Sequence, residues 1–343
     1  MAGVAGGAAA ATPSGPGIVA RVAALRVAPA PPANRSTPGR RAGGPPGSYA
    51  RRRTAIGTAR MREADGMTET ADAREADRAL KAKHRTMWAL GDYPAVATQV
   101  VAGLGPALVE ACRVKDGDRV LDVAAGSGNA SIPAALAGAD VVACDLTPEL
   151  LAVGRKEAEA RGAVLSWQEA DAEALPFEDG TFDTVMSCVG VMFAPHHQTT
   201  ADELVRVCRP GGTIGLLSWT PEGFIGQMFA TMKPYAPPPP PGAQPPPLWG
   251  NEEHVRTLLG DRVTGVEARR RALRVDAFRE PEDFREFFKA AYGPTIAVYR
   301  SIAGDPERTA ALDGALADLA AGALRDGAMD WEYLLFTARR ATA

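Results

Sequence analysis

The segment Val120-Leu121-Asp122-Val123-Ala124-Ala125-Gly126-Ser127-Gly128 constrains this chain more than any other. A short apolar run, 119–123, carries an acid and gives way to a small-residue turn. A helical pattern, 129–136, follows. A strand turning sharply into a helix opens a βαβ unit. Gly126 and Gly128 let the backbone approach a ligand with no Cβ in between. The helix behind them points free N–H groups and a positive dipole end at that ligand. Asp145 ends the next strand pattern, about twenty residues after the turn starts. There a doubly wound sheet offers a carboxylate to a ribose diol. The expected ligand therefore contains a nucleoside and an anionic group.

The rhythm continues along the chain. Thr147 is placed to cap a helix that opens with Pro148. Residues 164–169 and 182–188 read as strands. A helix over about 200–208 is expected to stop at Arg209-Pro210-Gly211-Gly212, before a fifth strand at 213–219. Strands alternating with helices imply parallel pairing and right-handed crossovers. Upstream, 71–90 is helical with Leu80, His84, Met87 and Trp88 near one face. A second helix, 95–112, is expected to break near Gly105-Pro106. Beyond Trp219 the pattern changes. Residues 234–247 are proline-dense, 251–259 a short helix and 263–275 a strand. Residues 280–302 and 306–324 read as helical and carry Phe284, Phe287, Phe288, Tyr292 and Tyr299. Residues 331–337 read as a final strand.

Charge is unevenly spread. Ten of the 38 basic residues, all arginines, lie before Glu63, whereas all 41 acidic residues lie beyond Arg62. The folded body is therefore acidic, a poor match for a nucleic-acid backbone. The Ala/Gly/Pro/Arg-rich stretch 1–66 has too few large apolar residues to offset its ordering entropy and reads as disordered. An organellar transit peptide or a basic nucleic-acid arm would share its charge. Sparse serine and dense proline favour instead translation upstream of a true start at Met61 or Met67. The four cysteines, Cys112, Cys144, Cys188 and Cys208, form no C-x-x-C pair. That argues against a zinc ribbon or disulfide framework and fits a reducing cytoplasm. No apolar run approaches the roughly 20 residues of a membrane span.

Two features turn the ligand away from a dinucleotide. The turn lacks the G-x-G-x-x-G order that admits a pyrophosphate. Asp122 also puts a carboxylate where a pyrophosphate would be repelled and an ammonium attracted. Downstream come Asp171-Ala172-Glu173-Ala174-Leu175-Pro176-Phe177, Gly180-Thr181-Phe182-Asp183 and Arg209-Pro210-Gly211-Gly212. In this order and spacing, from about Val120 to Trp219, the chain resembles the class I S-adenosylmethionine-dependent methyltransferases. Within them it is most similar to the ubiquinone/menaquinone-biosynthesis group. The resemblance implies a Rossmann-like, doubly wound α/β fold with a seven-stranded sheet, mostly parallel with one antiparallel C-terminal strand, and added helices. The implied organisation is N-terminal helices over 71–113, an S-adenosylmethionine-binding core over 114–220, and over 221–343 a proline-rich loop, a helical lid and the final strands. It also implies roles. Asp122, Ala124, Gly126 and Gly128 hold the methionine moiety and Asp145 accepts the ribose hydroxyls. Leu146 flanks the adenine, whose amino group donates to Asp171 while the Ala172 N–H faces a ring nitrogen. Cys188, within 187–189, lines the sulfonium end. Ala124 stands where the family often has glycine, and alanine does not readily adopt φ > 0.

The acceptor is less legible. His196 and His197 follow the fourth strand and are candidate general bases, or merely loop residues before a helix. His254 follows Glu252 and Glu253, but adjacent helical residues do not converge on one ion, so no metal is expected. Trp88, Tyr93, the proline loop and the aromatic helices form either a water-excluding lid or the core of the added helices. The expected partner is a small organic substrate. A nicotinamide-dependent oxidoreductase and a non-catalytic S-adenosylmethionine-binding protein are the alternatives.

Overall fold

The computed structural model describes residues 75–342. All belong to the second of the two units into which the chain divides, Asp65–Ala343. The tail 1–66 and its alternative readings lie outside the described residues.

Seven strands form one sheet: β1 (Arg119–Val123), β2 (Asp140–Asp145), β3 (Ser166–Glu169), β4 (Phe182–Cys188), β5 (Cys208–Trp219), β6 (Val263–Val275) and β7 (Met329–Arg340). Their spatial order is β3-β2-β1-β4-β5-β7-β6. The pairs from β3 across to β5 are parallel, and β7 runs antiparallel to both β5 and β6. The sheet is thus the expected doubly wound α/β sheet with one antiparallel C-terminal strand. The strand order reverses between β1 and β4. Right-handed crossovers then send the helices after β1 and β2 to one face and the helix after β4 to the other. A crevice opens at the carboxyl ends of β1 and β4. Central strands covered on both faces read as continuous apolar runs. Accordingly Val120, Leu121, Val123, Val141 and Val185 are fully buried. The edge strand β6 instead exposes Arg269, Arg270 and Arg271, charges that block further strand pairing.

The helices are α1 (75–88), α2 (Tyr93–Gln99), α3 (Leu104–Cys112), α4 (Ser131–Leu136), α5 (Pro148–Ala160), α6 (His197–Val207), α7 (Phe224–Met232), α8 (Glu252–Leu259), α9 (Pro281–Ala291), α10 (Gly293–Ile302) and α11 (Pro306–Ala323). Several boundaries differ from the sequence reading for physical reasons. The expected break at Gly105-Pro106 falls at 100–103 instead, and Gly105 sits in the first turn of α3. A Cβ there would lie 1.8 Å from the Asn129 carbonyl oxygen, so glycine serves a close approach to the β1 turn. Thr147 holds the N-cap position of α5, but its side chain makes no capping bond. Arg209-Pro210-Gly211-Gly212 lies inside β5, in an irregular stretch where the register against β4 shifts. The stretch 280–302 is two helices, α9 and α10, parted at Tyr292 with proline opening each. Helix α7 was not legible. Its composition, Phe224-Ile225-Gly226-Gln227-Met228-Phe229-Ala230-Thr231-Met232, is apolar almost all round and lacks a polar face to mark the period.

The aromatic residues of α9 and α10 divide. Phe284 joins Phe224, Phe278 and Trp331 in a buried cluster, with Phe224 stacked on Trp331 at 5.4 Å. Tyr299 bonds outward to Asp313. Among the described residues no single helix is long and apolar enough to cross a membrane. Only α2 and α3 taken together pass that test, and they meet at a 70° bend.

Candidate active site

A cleft enclosing ≈ 920 Å³ of empty space, partly open to solvent, lies at the carboxyl ends of β1, β2 and β4. It sits at the switch point where such sheets bind ligands. Asp122, Ala124, Gly126, Asp145, Leu146, Asp171, Ala172 and Cys188 all line it. Gly128 does not. A Cβ on it would lie 2.7 Å from the Trp167 ring, and its φ is +89°. Gly128 thus lets the turn pack on the sheet rather than on a ligand.

Asp122 is 1 % exposed at the heart of the cleft. Its Oδ2 accepts from the Ser131 hydroxyl at 2.5 Å, while Oδ1 has no partner among the described residues. Burial, opposed by Ser131 and reinforced by the Asp145 charge, raises its pKa to about 7. A buried carboxylate oxygen without a donor is costly unless a ligand supplies one. Helix α4 starts at Ser131, two residues later than expected. Ser127, Asn129 and the α4 N-cap residue Ala130 therefore border the cleft.

Asp145 shapes the turn. Its Oδ2 accepts from the Gly126 N–H and its Oδ1 from the Thr147 N–H, each at 2.8 Å. Burial raises its pKa, against the pull of those backbone donors. Each carboxylate oxygen has two lone pairs, so both keep capacity for a further donor. Ala124 adopts φ +55° despite its methyl group. The left-handed region costs alanine about 1–2 kcal/mol, offset by the register that the Ala125 N–H to Cys144 carbonyl bond fixes.

Past Cys188, Val189 also sits at positive φ, +53°. A β-branched residue there is a true outlier, and such strain gathers at functional sites. Its N–H donates to the Leu217 carbonyl. Ser187 Oγ donates to the Val123 carbonyl and accepts from the Val191 N–H, tying this loop to β1.

Helix α1 supplies a group that the sequence did not reveal. Lys81 Nζ lies 2.5 Å from Asp171 Oδ2, 2.9 Å from Asp77 Oδ2 and 3.0 Å from Glu173 Oε2. Burial lowers its pKa, but bonds to Asp171, Asp77 and Glu173 outweigh it and raise the ammonium well above its ordinary value. Asp77, Glu173 and His196 have ligand atoms close enough to gather round an ion, and the Lys81 ammonium bonds two of the three. His84 and Trp88, further along α1, also line the cleft. Burial, then the Lys81 charge, lowers the His84 pKa, favouring a neutral imidazole. Lys81→Met keeps the aliphatic stem and leaves three carboxylates facing one another. It is expected to destabilise the fold by about 2 kcal/mol and to reduce amide protection along 75–88. Unchanged hydrogen exchange there would show the cluster to be inconsequential.

Neither candidate base after β4 lines the cleft. His197 is fully buried, with Nδ1 2.9 Å from His254 Nε2 and its ring against Trp249. Burial, then the His254 and His196 charges, lowers its pKa to about 3. It is a core residue opening α6. His196 is half-buried and faces Asp77 at 3.7 Å. The family motifs further along brace the sheet. Asp183 accepts from the Arg119 N–H and from Arg209 Nε, contacts that lower its pKa. Arg206 holds the carbonyls of Leu175 and Phe177.

The methyltransferase-domain profile matches residues 121–216, a span that includes every cleft residue named above from β1 to β4. A demethylmenaquinone methyltransferase from Thermus thermophilus is 41 % identical over 105 residues, 30 % of this chain and 48 % of that protein. The chain carries a methyltransferase domain of the class I, S-adenosylmethionine-dependent kind. Over greater length it is similar to two uncharacterized proteins of Mycobacterium tuberculosis strain H37Rv. One is 56 % identical over 257 residues, 75 % of this chain and 94 % of that protein. The other is 54 % identical over 274 residues, 80 % of this chain and 100 % of that protein. The likeness to these two therefore reaches well beyond the sheet core, to the helices and strands after Trp219.

Proposed function

We propose that this chain binds S-adenosylmethionine in the cleft and transfers its methyl group to a small organic acceptor by in-line displacement. The observation that carries the reading is the orphaned Oδ1 of Asp122, a buried acceptor in a cleft that otherwise fits a nucleoside. An ammonium satisfies it and neutralises the carboxylate. Asp145 then offers its remaining lone pairs to the ribose hydroxyls. Asp171, already bonded to Lys81 and to the Glu173 N–H, keeps lone pairs for the adenine amino group. Leu146 packs on the base and the Ala172 N–H faces a ring nitrogen. The turn after β1 carries the methionine end, and Cys188 with Val189 borders the sulfonium.

S-adenosylmethionine supplies a methyl group already activated on sulfur, so the protein contributes chiefly position and exclusion of water. Helix α1, with Lys81 anchored to Asp171 and Glu173, closes one side of the cleft and shields that methyl group. If the acceptor needs deprotonation, His84 is the imidazole available in the cleft. Methyl-labelled S-adenosylmethionine incubated with a small-metabolite extract tests the reading. Label is expected to move to a low-molecular-weight product. Binding without transfer to any fraction would leave a non-catalytic binding protein in its place.

A further inference from the structure

A groove of ≈ 260 Å³ lies between α3 and the edge strand β6 and shares no lining residue with the cleft. Glu110 and Arg113 line it from α3, and Glu267, Arg269 and Arg271 from β6. Leu335 and Thr337 of β7, the strand between, form its floor. Residues opposite each other on paired strands share a face. Glu267 stands opposite Thr337, Arg269 opposite Leu335 and Arg271 opposite Tyr333.

An irregularity in β6 creates the charged wall. From Thr264 to Glu267 the strand advances three residues against two of β7, and Gly265 within that step takes φ +59°. One extra residue turns every later side chain to the other face. In the register that holds at Thr264, the groove face would carry Val266, Ala268 and Arg270. The step replaces them with Glu267, Arg269 and Arg271. Arginines that only guard a sheet edge serve on either face. On the opposite face Arg270 is already engaged, 3.3 Å from both Glu222 and Glu332. In the groove Glu267 bonds Arg269 at 3.2 Å, and Arg113 and Arg271 form no ion pair among the described residues. Arg113 ends α3 in the left-handed conformation, φ +55°, that glycine usually takes. Arg339, two residues past Thr337 on the same face of β7, brings the arginines to four. Against two carboxylates they leave two positive charges, on a folded body that is acidic overall.

We propose that this groove binds a small dicarboxylate, with one carboxylate between Arg269 and Arg271 and the other on Arg113 across the groove. The guanidinium fork matches a carboxylate with two parallel bonds. Arg269 and Arg271 lie about 7 Å apart along β6, close enough to clamp one carboxylate between them. A cavity of roughly 150 Å³ holds benzene. By proportion ≈ 260 Å³ holds about ten non-hydrogen atoms, the size of a dicarboxylate of about five carbons. Leu335 and the methyl groups of Ala107 and Ala111 suit the aliphatic middle of such a molecule. A dianion also balances the two excess charges. The site is independent of the methyl-donor reading.

Calorimetric titration of the full chain with glutarate, at low salt and pH 7.5, tests the assignment. One glutarate is expected to bind per chain, more weakly as sodium chloride is added. Arg113→Gln and Arg271→Gln are each expected to lower the affinity about tenfold. Arg270→Gln, on the other face, is expected to leave it unchanged. Butyrate has one carboxylate and inorganic phosphate is too short to reach both walls, so each is expected to bind about tenfold more weakly than glutarate. Thermal melts followed by circular dichroism check that the variants fold, and if one arginine variant does not, the other decides. No glutarate binding, binding indifferent to both groove substitutions, or an equal loss in Arg270→Gln overturns the site. Butyrate or phosphate binding as tight as that of glutarate overturns the dicarboxylate assignment.

Discussion

Asp145→Asn is expected to lower S-adenosylmethionine affinity about a hundredfold, because charge-assisted bonds to two ribose hydroxyls become neutral or are lost. The variant also carries a structural cost. An amide has one acceptor oxygen, whereas the carboxylate accepts from Gly126 N–H and Thr147 N–H with different oxygens. One buried N–H then meets an NH₂ group, at a cost of about 1–3 kcal/mol. Alanine would orphan both N–H groups, so asparagine is the cleaner substitution. Equilibrium titration well below the variant's melting temperature, with circular dichroism as a check on folding, separates the two effects. Wild-type affinity in a folded Asp145→Asn protein would remove Asp145 from the ribose.

Asp122→Asn is expected to push affinity and stability in opposite directions. Its carboxylate titrates near pH 7 in the folded chain, chiefly because it is buried, against an ordinary value of 3.8. A pKa raised on folding gives stability that is fully present below the unfolded value and is lost as pH rises through the folded one. The ligand-free protein should therefore become less stable between about pH 4 and pH 7. Asparagine carries no charge to desolvate and should gain about 2 kcal/mol at pH 8 over the wild type. Affinity should fall about thirtyfold or more, because the ligand ammonium loses its counter-charge. Wild-type affinity should also weaken as pH drops below 7, approaching tenfold per unit, while the asparagine variant stays flat. Thermal melts and titrations across pH 5.5–8 read both signs. A variant that loses stability, or that keeps the wild-type pH slope, would contradict the role assigned to the orphaned Oδ1.

These two residues were legible in the sequence because their geometry is local. Asp122 lies within β1, and Asp145 closes the neighbouring parallel strand. One βαβ unit brings them to the same edge whatever the rest of the chain does. Cys188 and Asp171 were readable for the same reason, since one ends β4 and the other follows β3 of the same sheet. Lys81 and His84 were not. Both sit on a helix far upstream, and only tertiary packing lays it along the cleft. The sequence placed His84 on one helical face with Leu80, Met87 and Trp88 without showing what that face meets, and it gave Lys81 no mark. Gly105 was misread for a related reason. Gly-Pro signals a break when chain geometry is considered alone. Here the missing Cβ answers the Asn129 carbonyl, a contact between elements. His197 looked like a base because it follows β4 on the ligand side. Its backbone does sit there, but the first turn of α6 rotates the ring into the core beside His254. Val189 carries no sequence mark at all, because a β-branched residue is the last choice for positive φ. It holds that conformation because Ser187 and Leu217 bond the backbone on both sides of it.

Parallel calorimetric titrations of the wild-type protein with S-adenosylmethionine and with NADH at pH 7.5 test the central claim most directly. The expected result is one saturable site per chain for S-adenosylmethionine and no saturable heat with NADH. Saturable NADH binding with none for S-adenosylmethionine would contradict the donor assignment, and with it the role given to the turn from Asp122 to Gly128.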